Sequence, residues 1–182
     1  MSDMASSILT PWSNFYIMTG SAAASLTGLM FVVITLVTGV ERRQRSRDGV
    51  STFSTPTVVH FGAALLVSAI LSAPWRSLVY PATLLGLAGL CGVVYELGVM
   101  YRTKRLTMYK ADLEDWAWYT ILPFVAYVVI LASAVMMYSI SVQALFALAA
   151  VVVLLIFIGI RNAWDVVTYI AIEYHDEPPS SS

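Results

Sequence analysis

The sequence predicts an all-α, polytopic membrane bundle of five transmembrane helices. Of its 182 residues, 59% are hydrophobic and only 12% are charged, whereas soluble domains carry roughly 25% charged residues. The mean hydropathy is +0.78, and five stretches reach the roughly 17–25 helical residues that cross a hydrocarbon core of about 30 Å. We expect one integral membrane domain over residues 1–182, with spans at residues 12–39, 57–73, 78–101, 117–138 and 142–160.

The basic residues predict an orientation for this bundle. Lys and Arg accumulate in short loops on the cytoplasmic side of a membrane, whereas acidic residues contribute little to topology. Nine of the ten basic residues follow the first, third or fifth predicted helix, and only Arg76 lies on the other side. We therefore expect the N-terminus outside and the C-terminus in the cytoplasm.

The first predicted helix carries a stripe of small residues. Thr10 and Pro11 resemble a helix start, because Thr caps helices and Pro suits the first helical position. The apolar stretch is too long for the core of a signal peptide, so we expect it to remain in the mature protein. Gly20, Ala24 and Gly28 recur at steps of four, which permits close approach of another membrane helix. We interpret this stripe as the main packing face.

The next two predicted helices should form a hairpin. Residues 41–56 are polar and basic, and we favour a topology anchor over a nucleic-acid or anionic-lipid patch. We expect no nucleic-acid partner. The second helix should begin at Thr55-Pro56 and end at Ala73-Pro74. Only three residues then precede the third helix, so the two helices are expected to be antiparallel neighbours.

The third predicted helix contains an acid within its apolar span. Gly86, Gly89 and Gly92 are spaced by three, and Glu96 lies four residues further along the same face. Glycines favour close helix packing, so Glu96 is expected to point into the bundle or a wet crevice. It precedes Arg102 by six residues, which places it about 9 Å inside the cytoplasmic edge. Insertion scales give about 2.5–3.5 kcal/mol for a charge at the centre of a membrane helix, so an acid here needs a partner.

The expected partner of Glu96 is His60, which should lie at a similar depth in the second helix. Arg161 and Asp165, at the cytoplasmic end of the fifth helix, could complete an intramembrane polar site together with Asn162 and with a tyrosine, Tyr95 or Tyr101. Intramembrane ionisable groups are functional-site hypotheses by default. The interpretation that we favour is that Glu96 only fixes helix packing, because it lies at a shallow depth and no second acid is buried.

The C-terminal part continues a helical pattern beyond the last span. Residues 161–174 keep apolar side chains near one face, so they either extend the helix or lie along the inner membrane surface. The final eight residues, 175–182, are polar and proline-rich and are expected to be disordered.

The motifs of several function classes are absent from the sequence. There is no phosphate-binding loop, no H-E-x-x-H and no G-x-S-x-G, so we expect neither an enzyme nor a cofactor. With a single membrane histidine, no metal-ligand spacing exists. No internal duplication is visible, which disfavours the repeat architecture of many transporters.

Residues 15–37, FYIMTGSAAASLTGLMFVVITLV, resemble the first helix of a group of small bacterial multi-pass membrane proteins with the pattern G-x-A-A-A-x-L-x-G-L-x-F-V. The members are mostly uncharacterised, and some carry the label modulator of the membrane protease FtsH. The resemblance covers mainly this helix. It implies a multi-pass protein of the bacterial plasma (inner) membrane and supplies no catalytic residue.

Two functional hypotheses follow from these patterns. The leading one is a non-enzymatic assembly, scaffold or regulatory subunit embedded in the lipid bilayer, which packs through its first helix as a homo-oligomer or against a membrane protein partner. The alternative is a small oligomeric channel or proton-coupled transporter that uses Glu96, with His60 as a relay.

Overall fold

The structure is a computed structural model that describes residues 4–41, 50–105 and 116–173. The predicted disordered tail and residues 42–49 of the basic segment lie outside these ranges. A 3₁₀ turn at Thr10–Trp12 joins the first two helices, and a π-helical turn at Ala117–Ile121 precedes the fifth. The α-helices are α1 (Met4–Leu9), α2 (Ser13–Glu41), α3 (Val50–Ser72), α4 (Val79–Arg105), α5 (Leu122–Met136) and α6 (Ser141–Glu173).

The described chain is all-helical, as predicted. Four helices are long and apolar enough to cross a membrane, and the apolar part of α3, Pro56–Ser72, is shorter. The last of the four has the highest mean hydropathy, 2.8, and also the largest buried share of its apolar window, 44%. A helix of this hydropathy could equally face lipid. Its burial shows that α6 is instead the central helix of the bundle.

One predicted helix boundary differs from the structure, and one alternative is decided by it. The second helix was expected to begin at Thr55-Pro56, but α3 starts at Val50 and passes through Pro56. Proline removes one backbone donor, yet neighbouring groups can compensate for that loss in a membrane helix. The last span was expected to end near residue 160, followed by residues that either extend the helix or lie along the membrane surface. Over residues 161–173 the structure has the continuous helix, since α6 runs without interruption to Glu173.

The helices pack as a curved row in the order α2, α3, α6, α5, α4, with smaller contacts from α2 to α6 and from α3 to α4. The core runs along α6, where the completely buried side chains recur at helical spacing. These are Leu145, Leu148, Val152 and Leu155.

The expected hairpin of α3 and α4 has its short connection but not its close packing. Val79 begins α4 six residues after Ala73, and the Trp75 indole donates a 2.5 Å hydrogen bond to the Ile70 carbonyl. The two helices then diverge, because α4 packs chiefly on α5. We call this side of the bundle, which holds the α3–α4 and α5–α6 connections, the hairpin end, and the opposite side the basic end.

The face that α2 buries within the chain is not the predicted stripe. Gly20 packs against Ser68, with 3.0 Å between a Cβ built on Gly20 and the Cβ of Ser68. Ala24 and Gly28 are exposed, and nothing lies within 4 Å of a Cβ built on Gly28. Apart from Gly20, other residues form the buried face of α2 within one chain, and they are Tyr16, Thr19, Ala23 and Met30.

Candidate functional site

The glycine face of α4 sets the position of the candidate site. Gly86, Gly89 and Gly92 contact α5 at Ala134, Leu131 and Tyr127, respectively, as expected for two antiparallel helices in close contact. A Cβ on Gly89 would lie 2.7 Å from the Leu131 backbone nitrogen, and one on Gly92 would overlap the ring of Tyr127. The glycine face of α4 thus lies against α5.

Glu96 lies one turn beyond Gly92 and is buried, with 1% of its surface exposed. The expected contact with His60 is present, since Glu96 Oε1 lies 4.0 Å from His60 Nε2 and the histidine is also 1% exposed. This distance is within the range of an ion pair but too long for a hydrogen bond. The close packing of α4 on α5 thus directs the acid into protein and away from lipid.

A tyrosine completes this contact on the other side of the imidazole. The Tyr127 hydroxyl lies 3.1 Å from His60 Nδ1, so three helices contribute one polar side chain each. A neutral imidazole has one donor and one acceptor nitrogen. If the hydroxyl donates to Nδ1, then Nε2 carries the ring hydrogen and directs it toward the Glu96 carboxyl. We name Glu96, His60 and Tyr127 the buried triad.

The buried triad retains unused hydrogen-bonding capacity. Within the described residues, Glu96 Oε2 has no hydrogen-bond partner, and neither polar atom of the Asn162 side chain has one. Asn162 is 0% exposed and lies one turn after Gly159, whose position contacts the ring of Phe61, next to His60 in the chain. Leaving such groups unpaired costs about 1–3 kcal/mol each. A purely structural contact would be expected to satisfy them.

Arg161 and Asp165 form a second cluster with the π-helical turn. Arg161 Nε lies 3.3 Å from Asp165 Oδ2, and the Tyr119 hydroxyl donates to the same oxygen at 3.1 Å. The guanidinium also lies 5.8 Å from the ring centroid of Trp118. Both charged side chains are about one-third exposed, so this pair belongs to the surface of the basic end. The structure thus joins Glu96 to His60 and pairs Arg161 with Asp165.

The sequence does not indicate Tyr127 or Tyr119. The tyrosine expected in the polar site was Tyr95 or Tyr101, because both lie near Glu96 in the chain. Tyr127 is distant in sequence and reaches His60 only because the glycines of α4 bring α5 close. No local pattern around Tyr127 indicates this role. The one usable signal in the sequence was the spacing of Gly86, Gly89 and Gly92, which leaves room for bulky side chains of a facing helix.

Among the described residues, no group of three or more His, Cys, Asp or Glu side chains is placed to hold a metal ion. The candidate site therefore consists of one carboxyl, one imidazole and one phenol in the interior of a helical bundle. No family model, curated protein or solved structure matches this chain.

Proposed function

We propose that this protein is a non-enzymatic membrane subunit that assembles with a second copy of itself through α2. The observation that carries the proposal is the outward position of Ala24 and Gly28 on a helix whose buried face is a different one. Small residues at this spacing let two helices approach closely in lipid, where van der Waals contact and not hydrophobicity drives association.

The chemistry of the stripe is compatible with a helix partner. Ser25, beside Ala24, donates a 2.9 Å hydrogen bond to the Ser21 carbonyl of its own helix. The small side chains therefore leave the outward surface flat, and the Ser25 hydroxyl needs no partner on another helix. Only 22% of the most apolar window of this span is buried in the chain, so most of the helix is available to lipid or to another helix.

Native mass in lipid nanodiscs tests the proposal. The unmodified protein is expected to be a dimer or a larger homo-oligomer, and Gly28→Leu is expected to be monomeric because leucine fills the groove. Gly98→Leu is the matched control, since a Cβ on Gly98 also has nothing within 4 Å but lies on α4. A monomeric unmodified protein, or an oligomer that Gly28→Leu leaves intact, would contradict assembly through this face. Loss of a co-purified membrane protein in Gly28→Leu would instead indicate a different partner.

We further propose five spans in a bacterial plasma membrane, with the hairpin end outside and the basic end in the cytoplasm. This orientation is supported by the nine-to-one distribution of Lys and Arg. On this proposal α3 also spans the membrane, in addition to the four longer helices, although its apolar part is the shortest. The buried triad then lies in the cytoplasmic half of the membrane.

The second candidate function is proton-coupled transport through the buried triad, and the unpaired Glu96 Oε2 favours it. A carboxyl next to an imidazole can exchange a proton with it, and Tyr127 extends the chain of polar groups. Such chains occur along proton paths in membrane pumps.

Proteoliposomes with an imposed pH gradient test this candidate. The unmodified protein is expected to dissipate the gradient, and Glu96→Gln is expected to stop this flux while the protein remains folded. Asp165→Gln is the control, because it removes an acid from the exposed second cluster. Equal flux in Glu96→Gln and the unmodified protein, or no flux in either, rules out the transport role.

A further inference from the structure

A cavity opens at the hairpin end, remote from the buried triad. It encloses about 570 Å³, within the roughly 300–1,000 Å³ of small-molecule sites. One wall is formed by α1 and the start of α2, and the other by the end of α3 and the connection that follows it. Leu9 and Leu71 contribute buried apolar surface to its lining.

The lining includes Arg76, the one basic residue that the sequence places on this side of the protein. Its side chain is exposed. Across residues 4–41, 50–105 and 116–173, no carboxylate forms an ion pair with it, since the ion pairs there are His60–Glu96 and Arg161–Asp165. A guanidinium offers five donors in a planar fork that matches a phosphate group. The positive charge at this cavity is thus available to a ligand.

Hydroxyl groups line the same cavity. Thr10, Ser13 and Ser72 each donate a hydrogen bond of 2.6–2.9 Å to a carbonyl of the preceding helical turn. A hydroxyl oxygen that donates in this way still has acceptor capacity, and its O–H can rotate toward a ligand oxygen. The cavity therefore combines one cation with several small polar groups and an apolar wall.

The depth of the cavity in the membrane follows from its aromatic residues. Trp75 lines it and stacks on Tyr80, with 6.2 Å between the ring centroids. Trp and Tyr concentrate at the level of the lipid head groups. At this depth, the most abundant anion that a guanidinium meets is the phosphate of a phospholipid.

We infer that this cavity binds a phosphate ester, with Arg76 on the phosphate oxygens and the hydroxyls of Thr10, Ser13 and Ser72 around it. The apolar wall of Leu9 and Leu71 suits the glycerol and upper acyl part of a lipid. The same phosphate chemistry also admits a free phosphate. The site lies apart from the α2 stripe and the buried triad, and its lipid ligand rests on the proposed membrane spans.

Native mass spectrometry of the delipidated full-length protein in detergent tests the inference. Short-chain phosphatidylglycerol is expected to add one tightly held molecule per chain, and Arg76→Gln is expected to weaken that binding about tenfold, the loss typical of one charged hydrogen-bonding group. Arg76→Lys should retain part of the binding because it keeps the charge. Ser72→Phe should abolish it by filling the cavity from an exposed position that does not disturb the core.

A competition measurement and a control variant complete the experiment. Inorganic phosphate added in competition identifies the source, because displacement of the lipid indicates a site for free phosphate, whereas an undisplaced lipid indicates the head group with its chains. Arg43→Gln makes the same charge change in the basic loop and is expected to leave this binding unchanged. Lipid occupancy that is the same in Arg76→Gln, Ser72→Phe and the unmodified protein overturns the inference.

Discussion

At the scale of single residues, the buried triad is defined by what is paired and what is not. The His60 imidazole has a polar group near each ring nitrogen, at 3.1 Å and 4.0 Å. The Glu96 carboxyl uses one oxygen toward the histidine and leaves the other without a partner. Helix packing alone explains the contacts of the His60 imidazole but not the unpaired oxygen of Glu96. This oxygen is therefore the feature that favours a functional role.

Tyr127→Phe tests how much the triad contributes to stability. The variant removes the hydroxyl near His60 and leaves the ring that packs on Gly92. Hydrogen bonds between membrane helices average about 0.6 kcal/mol and reach about 1.7 kcal/mol, so we expect a loss of free energy of unfolding within that range. Unfolding in increasing SDS measures it, with the exposed Tyr138→Phe as control. A larger loss would mean that the polar contact is required for folding.

Asn162→Leu tests the cost of the unpaired amide. Asparagine is buried there without a partner for either polar atom, and an apolar side chain of similar volume removes that penalty. We expect the variant to unfold at higher SDS than the unmodified protein, by about 1 kcal/mol in free energy. Asn14→Leu, at an exposed position, is the control. A destabilised Asn162→Leu would show that this amide has a partner in the membrane.

At the scale of elements, α4 and α5 form the closest helix pair around the site. Three glycines of α4 face Ala134, Leu131 and Tyr127 in antiparallel order. Glu96 follows the last glycine on the same face, so the register of this pair decides where the acid lies. The π-helical turn before α5 belongs to the same region, because it supplies Trp118 and Tyr119 to the second cluster. Positions in the two clusters are therefore set by helix packing and not by loops.

Gly89→Ala tests this packing. The new Cβ would lie 2.7 Å from a backbone nitrogen of α5, which cannot move aside as a side chain can. We expect a loss of about 1–3 kcal/mol, as for other overpacked cores, and a lower temperature of unfolding in detergent. Gly98→Ala on the same helix has open space around its Cβ and controls for helix propensity. If both variants unfold at the same temperature, the close approach of α4 to α5 is not what stabilises the bundle.

At the scale of the whole molecule, the bundle separates its polar groups by depth. The basic end holds the Arg161–Asp165 pair and the helix ends that adjoin the basic segments of the sequence. The buried triad lies between α3, α4 and α5, and the cavity around Arg76 lies at the hairpin end.

Cysteine labelling tests the orientation of the molecule. In a Cys91→Ala background, Ser2→Cys is expected to react with a membrane-impermeant maleimide in intact cells, and Ser180→Cys is expected to react only after permeabilisation. The physical reason is that short basic loops are retained in the cytoplasm. Labelling of both termini without permeabilisation would mean an even number of spans, and the reversed pattern would contradict the orientation.

Much of the architecture could be predicted because it depends on local composition. Apolar stretches must form helices in lipid, since no other backbone there satisfies its own hydrogen bonds. The contact of Glu96 with His60 was also predictable, because depth along two antiparallel helices is set by residue counts. The outward position of Ala24 and Gly28 was not, because a stripe of small residues is equally suited to a neighbour within the chain and to one outside it.

What the sequence by itself determined is the all-helical class and the apolar segments that form the helices. The tertiary structure decided which helix meets which. It packed α4 on α5 and not on the adjacent α3, brought Tyr127 to His60, and paired Arg161 with Asp165 at the surface. The physical reason is that helix formation depends on residues three and four apart, whereas the choice of neighbour depends on how the side chains of two distant segments fit together.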